Sequence, residues 1–266
     1  MAVRVDNINP EIIDWAITRA GNDLTEFYFA NPDVSDWVKG EKKPTVKQLE
    51  NFTHKVHVPF GYMFMDEPPE EKIPIPFFRT GSEQREKVSL NVYHTIQIIK
   101  DRQNWLTTYL EESGYSDLEF VGKYNDNSKY KKIASDIRNI LNIPIDWANK
   151  VGTWEQALDY LTLQIENAGI IVTFNGIVGN NTRRKIPVDE CRGFVLVNKK
   201  APFLFINSAD AKAAQMFTLI HELAHIWLGE GAGFDNKQML PADDPTEILC
   251  DKVAAEFLVP EEQFKE

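Results

Sequence analysis

The sequence predicts an α+β protein in which a small helical domain precedes a mixed domain of helices and short strands. Three observations predict it. Residues 1–66 hold four short apolar runs punctuated by Pro, Gly and Asn. Residues 170–206 hold three short runs rich in β-branched and aromatic residues, separated by turn residues. Residues 209–228 and 245–259 hold apolar runs too long for strands and patterned as helices.

In the first domain, Asn9-Pro10 opens a helix that runs to Arg19, with Ile12, Ile13, Trp15, Ala16 and Ile17 turned inward. Helical pieces follow at about 24–29 and 34–38. Gly40 ends the second of these, and Pro44 opens a further helix over 46–54. This order resembles an XRE-type helix-turn-helix. A base-reading helix should offer Gln, Asn, Ser or Arg side chains to base edges. The third helix instead begins with Asp33, Ser35, Asp36 and Trp37, which favours a role in protein contact or internal packing. Phosphate contact through Lys39, Lys42, Lys43 and Lys47 is the alternative. The charge balance argues against nonspecific affinity for nucleic acid. The chain carries a net charge of −11, and its first eighty residues hold nine Lys and Arg against thirteen Asp and Glu.

Residues 67–129 read as a linking segment. The prolines at 68, 69, 74 and 76 exclude helix and favour extended chain, while Ile73, Ile75, Phe77 and Phe78 call for burial. A long amphipathic helix follows over 83–112, with Val88, Leu90, Val92, Ile96, Ile99, Trp105, Leu106 and Leu110 as its apolar set. A polar loop at 122–128 closes the segment. Residues 130–266 form the last domain. Helices are expected at 131–141 and 154–167 and strands at 170–174, 192–197 and 203–206, with a mobile loop at 175–184. The strand at 203–206 is the expected outer strand for an extended peptide to pair with.

The chemistry concentrates in FTLIHELAHIWLG, residues 217–229. His221 and His225 stand four apart, so on a helix both imidazoles reach one metal ion. Glu222 follows the first histidine, where its carboxylate can take a proton from a water that the metal activates. The polar exceptions on this apolar helix, Gln215, Thr218, His221, Glu222 and His225, fall on one stripe, as befits a helix facing a cleft. Two core histidines bonded to carbonyls are the plainer account. Two imidazoles leave a metal short of ligands. The helix after Asp244-Pro245 offers Glu247 as a third ligand and Asp251 as the acceptor that fixes a histidine tautomer. Asp244 and Glu247 also have the spacing of a capping box. Glu256 is a fallback ligand.

The runs CRGFVLVN, APFLFIN, AQMFTLIHELAH and EILCDKVAAEFLVP resemble the ImmA/IrrE family of zinc metallopeptidases. INPEIIDWAITRAG, GEKKPTVKQLENF, HVPFGYMF and IPIPFFRT resemble its long members, which carry a helix-turn-helix-like domain in front. The resemblance implies a zincin-like domain and a Zn2+ endopeptidase of the HExxH...E type. It further implies a protein substrate, a helix-turn-helix repressor whose cleavage derepresses its genes. Two other functions fit the same residues: a toxin-like protease neutralised by a partner, and a regulator whose zinc domain only senses a signal. Oxyanion stabilisers are suggested by residue type alone, at Arg183, Arg184 and Tyr160.

The remaining features place the protein. A content of 43% hydrophobic and 26% charged residues is ordinary for a soluble chain, and no apolar run is long enough to span a bilayer. The acidic, core-less N-terminus and the two cysteines, Cys191 and Cys250, point to a reducing cytoplasm. Cys250 reads as a small packing residue.

Overall fold

The computed structural model describes residues 3–6, 8–71, 77–78, 88–230, 232–234 and 244–264. The chain divides into two compact units, Met1–Lys72 and Ile73–Glu266. Helices and a small sheet together make it α+β. No described helix is long and apolar enough to cross a membrane.

The first unit holds α1 (Pro10–Arg19), α2 (Leu24–Ala30), α3 (Pro32–Val38) and α4 (Val46–Val56). Local chemistry sets their starts. Asn9 caps α1 by accepting from the Glu11 amide, and Pro10 fills the first helical position. Asp23 caps α2, and Thr45 with Gln48 forms a reciprocal capping box on α4. Ile12, Ile13, Ile17, Leu49 and Val56 are fully buried, and Phe27 and Trp37 meet Phe52 edge-on at 6.1 and 6.2 Å. Trp37 is therefore core, and α3 turns its acids outward. Lys42 pairs with Asp33 and Asp36, Lys43 with Asp6, and Lys47 with Glu50.

In the second unit α5 (Leu90–Glu112) is followed by α6 (Tyr130–Leu141) and α7 (Trp154–Asn167). Residues 83–87 of the expected long helix lie outside the described residues, as do Ile73 and Ile75. The sequence assigns α5 to a linking segment, yet Val92, Ile96 and Ile99 join Phe194, Phe203 and Phe205 in one buried cluster. Gln103, fully buried, donates to the carbonyls of Leu196 and Ala201. Trp105 departs from the expected apolar set: it is 70% exposed and stacks on Tyr109 at 5.9 Å. The buried stripe ends near Gln103, and the last turns of α5 extend beyond the sheet.

The sheet comprises β1 (Phe77–Phe78), β2 (Ile171–Phe174), β5 (Gly193–Leu196), β6 (Phe203–Ile206) and β7 (Ala232–Phe234), in the order β1-β7-β5-β6-β2. The β2–β6 and β1–β7 pairs are parallel, and β5 runs antiparallel to β6 and β7. This corrects the expectation for residues 203–206. β6 is an inner strand, flanked by β5 and β2, and so cannot pair with a peptide. The reason lies in its composition. Phe203 and Phe205 point to the α5 side and Leu204 and Ile206 to the opposite side, all buried, which is the signature of a strand covered on both faces. The stretch 175–184, expected as a mobile loop, belongs largely to a hairpin of β3 (Ile177–Val178) and β4 (Asn181–Lys185). The Asn175 side chain shapes it, accepting from the Ile177 amide and donating to the Gly179 carbonyl.

On the other face lies α8 (Lys212–Leu228), packed with α9 (Pro245–Leu258), α6 and α7. Leu219, Ile220, Leu223 and Ile226 are fully buried, each contributing about 1.5–3 kcal/mol through burial. A backbone seam ends the helix. Gly229 takes φ +77°, and a Cβ on it would lie 2.9 Å from the Gly122 Cα. Across this approach the Gly122 and Tyr124 amides donate to the Ile226 and Trp227 carbonyls, both at 2.9 Å. These bonds satisfy acceptors that a helix C-terminus leaves bare.

Gly193 sets the height of α8 above the sheet. A Cβ there would stand 2.6 Å from Thr218 Cγ2 and 2.9 Å from the Phe205 carbonyl oxygen. Gly193→Ala is therefore expected to destabilise the second unit by about 1–3 kcal/mol. Part of that loss should be recovered when Thr218→Ala is added, measured as the coupling term of a double-mutant cycle in urea. Purely additive effects would show that α8 and β5 do not press on each other here.

Candidate metal centre

The site grows from the packing of α8 against α9. Their spacing lets side chains on facing turns meet in a volume that excludes solvent. His221 and Glu222 are fully buried, His225 is 1% exposed and Glu247 3%. Such burial of four ionisable groups is costly unless they satisfy one another or hold an ion.

Most of their contacts converge. His221 Nδ1 lies 2.9 Å from Asp251 Oδ1, and His221 Nε2 lies 3.1 Å from Glu247 Oε2. The two Nε2 atoms of His221 and His225 are 3.3 Å apart. Glu247 Oε1 lies 3.2 Å from His225 Nε2 without hydrogen-bond geometry. His221, His225 and Glu247 thus offer three ligand atoms all within 4.8 Å of one another, an arrangement that could hold a metal ion. The chemistry of the donors fits one. Once the Nε2 proton is given up, with Nδ1–H donated to Asp251, His221 turns the lone pair of Nε2 toward a carboxylate and a second imidazole nitrogen, a cluster of electron pairs that a cation would relieve. Glu222 stands apart. Neither of its carboxylate oxygens has a hydrogen-bond partner among the described residues, although both are buried.

The capping geometry assigns Glu247 to the histidines. Asp244 alone caps α9, accepting from the amides of Thr246 and Glu247, and the Glu247 carboxylate points inward. Glu256 lies elsewhere, accepting from the Glu261 amide.

The electrostatics follow from burial and these contacts. Burial lowers the proton affinity of His221, but hydrogen bonds to Asp251 and Glu247 outweigh it and lift the pKa to about 10. His225 is pushed down by burial, which outweighs the opposing pull of Glu247 and, more weakly, of Glu230. Burial tends to raise Glu247, yet the two histidines hold it at about 2. Glu222 is raised well above the ordinary carboxylate value, chiefly by burial. Cys250, buried beside these carboxylates, is raised for the same reason and is a poor thiolate.

The residues suggested as oxyanion stabilisers lie in other contacts. Arg184 donates to Asn91 and meets His94 on α5, Arg183 is exposed, and Tyr160 stacks on Trp147 at 6.0 Å. Sequence reasoning missed Thr218 as a residue that presses against β5. Its signal was a small residue on the polar stripe one turn before His221.

Two outcomes are expected from this geometry. The chain purified without added metal should carry close to one metal ion by elemental analysis, and Glu247→Ala should lose or greatly weaken it. A variant that keeps full occupancy would remove Glu247 from the ligand set. The second concerns pH. The folded-state pKa of His221 lies above its ordinary value of 6.5. Its proton therefore stabilises the metal-free fold at neutral pH, and that contribution is lost as pH rises through about 10. Metal must displace this proton, so affinity should climb with pH toward 10, with about one proton released per ion at pH 7.5. Titration calorimetry in buffers of different ionisation enthalpy reads the number directly, and zero release would contradict it.

Comparison with known proteins bears on this half of the chain. No curated protein and no solved structure matches the sequence. Residues 166–266, which span the sheet strands β2 and β5 to β7 with α8 and α9, match the family model of peptidase M78, described as an IrrE N-terminal-like domain, and this supports a metallopeptidase-type function.

Proposed function

We propose that the second unit is a zinc-dependent endopeptidase of the HExxH...E type, with a zincin-like arrangement of helix and sheet. The observation that carries the reading is the pairing of a three-donor cluster with a buried carboxylate, unpartnered among the described residues, one residue after its first histidine. His221 Nε2, His225 Nε2 and a Glu247 oxygen would hold the ion. Two imidazoles and a carboxylate suit zinc, and when bound it supplies Lewis-acid polarisation of the scissile carbonyl and a lowered pKa for water.

The chain's own groups do the rest. Asp251 fixes His221 in the tautomer that directs Nε2 inward. Glu222 takes the proton of the attacking water at a carboxylate oxygen and later passes it to the leaving amine. Burial raises its proton affinity, which suits a group that must both accept and donate. The dry surroundings of α8 keep bulk water from competing for that proton.

The substrate we propose is a helix-turn-helix transcriptional repressor, whose cleavage derepresses its genes in the cytoplasm. Support comes from the family resemblance and from the first unit. With Trp37 buried and three lysines committed to acids, its helix-turn-helix-like array suits contact with a protein partner better than reading of bases.

The test incubates the zinc-loaded chain with repressors encoded beside its gene and reads products by mass spectrometry. Wild type should cut once inside the repressor. Glu222→Gln should bind metal as before and cut about 10²–10⁴-fold more slowly. Intact repressors alongside a cut protein of another kind would favour the toxin-like reading, and no cleavage by a metal-loaded chain would favour a sensor.

A further inference from the structure

The proposed chemistry uses α8 from His221 onward. A turn earlier the same helix borders a cavity of about 500 Å³, which lies within the range of small-ligand pockets. Three separate stretches of chain build it. Trp147 and Trp154 come from the turn before α7 and its first residue, Met216 and Phe217 from the start of α8, and Leu258 from the end of α9. Among the described residues no charged side chain lines it. The one hydroxyl among its described lining residues, that of Thr153, accepts from the Gln156 amide at 3.2 Å. A charged group entering this space would lose its hydration without compensation, whereas an apolar one would gain by leaving water.

Phe217 joins the cavity to the metal cluster. It stands one turn before His221 on the same helix face, and the two ring centroids are 6.3 Å apart. Extended chain advances about 3.3–3.6 Å per residue. A polypeptide whose scissile carbonyl reaches the His221–His225–Glu247 cluster can therefore lay an adjacent side chain over Phe217. The rim is open, since Trp154 is 60% exposed and Ala213, also on the lining, is exposed.

We propose that this cavity is the side-chain subsite beside the scissile bond, and that it selects a large apolar or aromatic residue of the protein substrate. The proposal rests on the peptidase reading and adds a sequence preference to it.

The test uses hydroxamates, whose head group binds the metal while the tail samples the cavity. The zinc-loaded full chain is titrated calorimetrically with acetohydroxamate, 3-phenylpropionohydroxamate and the monohydroxamate of succinate. The phenyl compound should bind about tenfold or more tightly than acetohydroxamate, and the succinate compound more weakly than either. Ala213→Trp places a bulky ring at the exposed lip of the cavity. It should erase the aromatic advantage and leave acetohydroxamate affinity unchanged; should this variant not fold, the wild-type series decides alone. Equal affinities across the series would overturn the subsite and leave the peptidase reading standing. Failure of the zinc-loaded chain to bind acetohydroxamate would overturn that reading and the subsite with it. A phenyl affinity indifferent to removal of zinc would assign the cavity to a free apolar ligand and also overturn the proposal.

Discussion

The second unit is organised around the confinement of two imidazoles and two carboxylates between α8 and α9, with almost no access to water. Groups of this kind are rarely buried without a compensating ion or a closed set of partners. Asp251 provides part of the compensation from the edge of the cluster, where its side chain keeps 29% exposure. It therefore holds a charge at lower cost than Glu247 does. The rest of the unit reads as the frame for that confinement. α8 is buried along nearly its whole length, and α6 is tied to α9 by Arg138, which donates to the Glu256 and Phe257 carbonyls.

Burial on both faces of the sheet explains the shape of the frame. One face carries α5 and its aliphatic row, and the other carries α8 with the helices around it. With a strand on either side, β5 and β6 have no edge to offer and serve as a floor. Gln103 adds a polar fastening from α5 to the β5–β6 connection, where an apolar side chain would leave two carbonyls bare.

Much of this was legible in the sequence where the governing physics is local. Asn9-Pro10, Pro44 and Asp244-Pro245 mark helix starts because a cap or an opening proline needs only its own first turn. The spacing of His221, Glu222 and His225 put three functional groups on adjacent helical positions for the same reason. Residues that meet across the chain were harder. The approach of Glu247 to the two histidines was reachable because a metal held by two imidazoles would need a further ligand and the next helix had few to offer. The inner position of β6 was not, since Phe203–Ile206 alone does not say how many neighbours it has, and β7 joins the sheet from beyond α8. The hairpin at 177–185 escaped notice because β3 is only two residues long and β4 is polar throughout. The cavity beside Phe217 escaped altogether: its walls come from residues near 150, 215 and 258, and no local pattern announces their meeting.

The seam between Gly122 and Gly229 has a consequence for how this chain can vary. Two backbones touch there with no side chain between them, and the amides on one side close the helix that carries both histidines. A Cβ on Gly229 would press on the Gly122 backbone whatever stands at 122, and Gly122 is itself held at φ +71°, a conformation that side chains rarely adopt. The two positions therefore form a joint without slack. Insertions and substitutions have to accumulate on either side of it, and the register between the loop and the end of the histidine helix is inherited as a single unit.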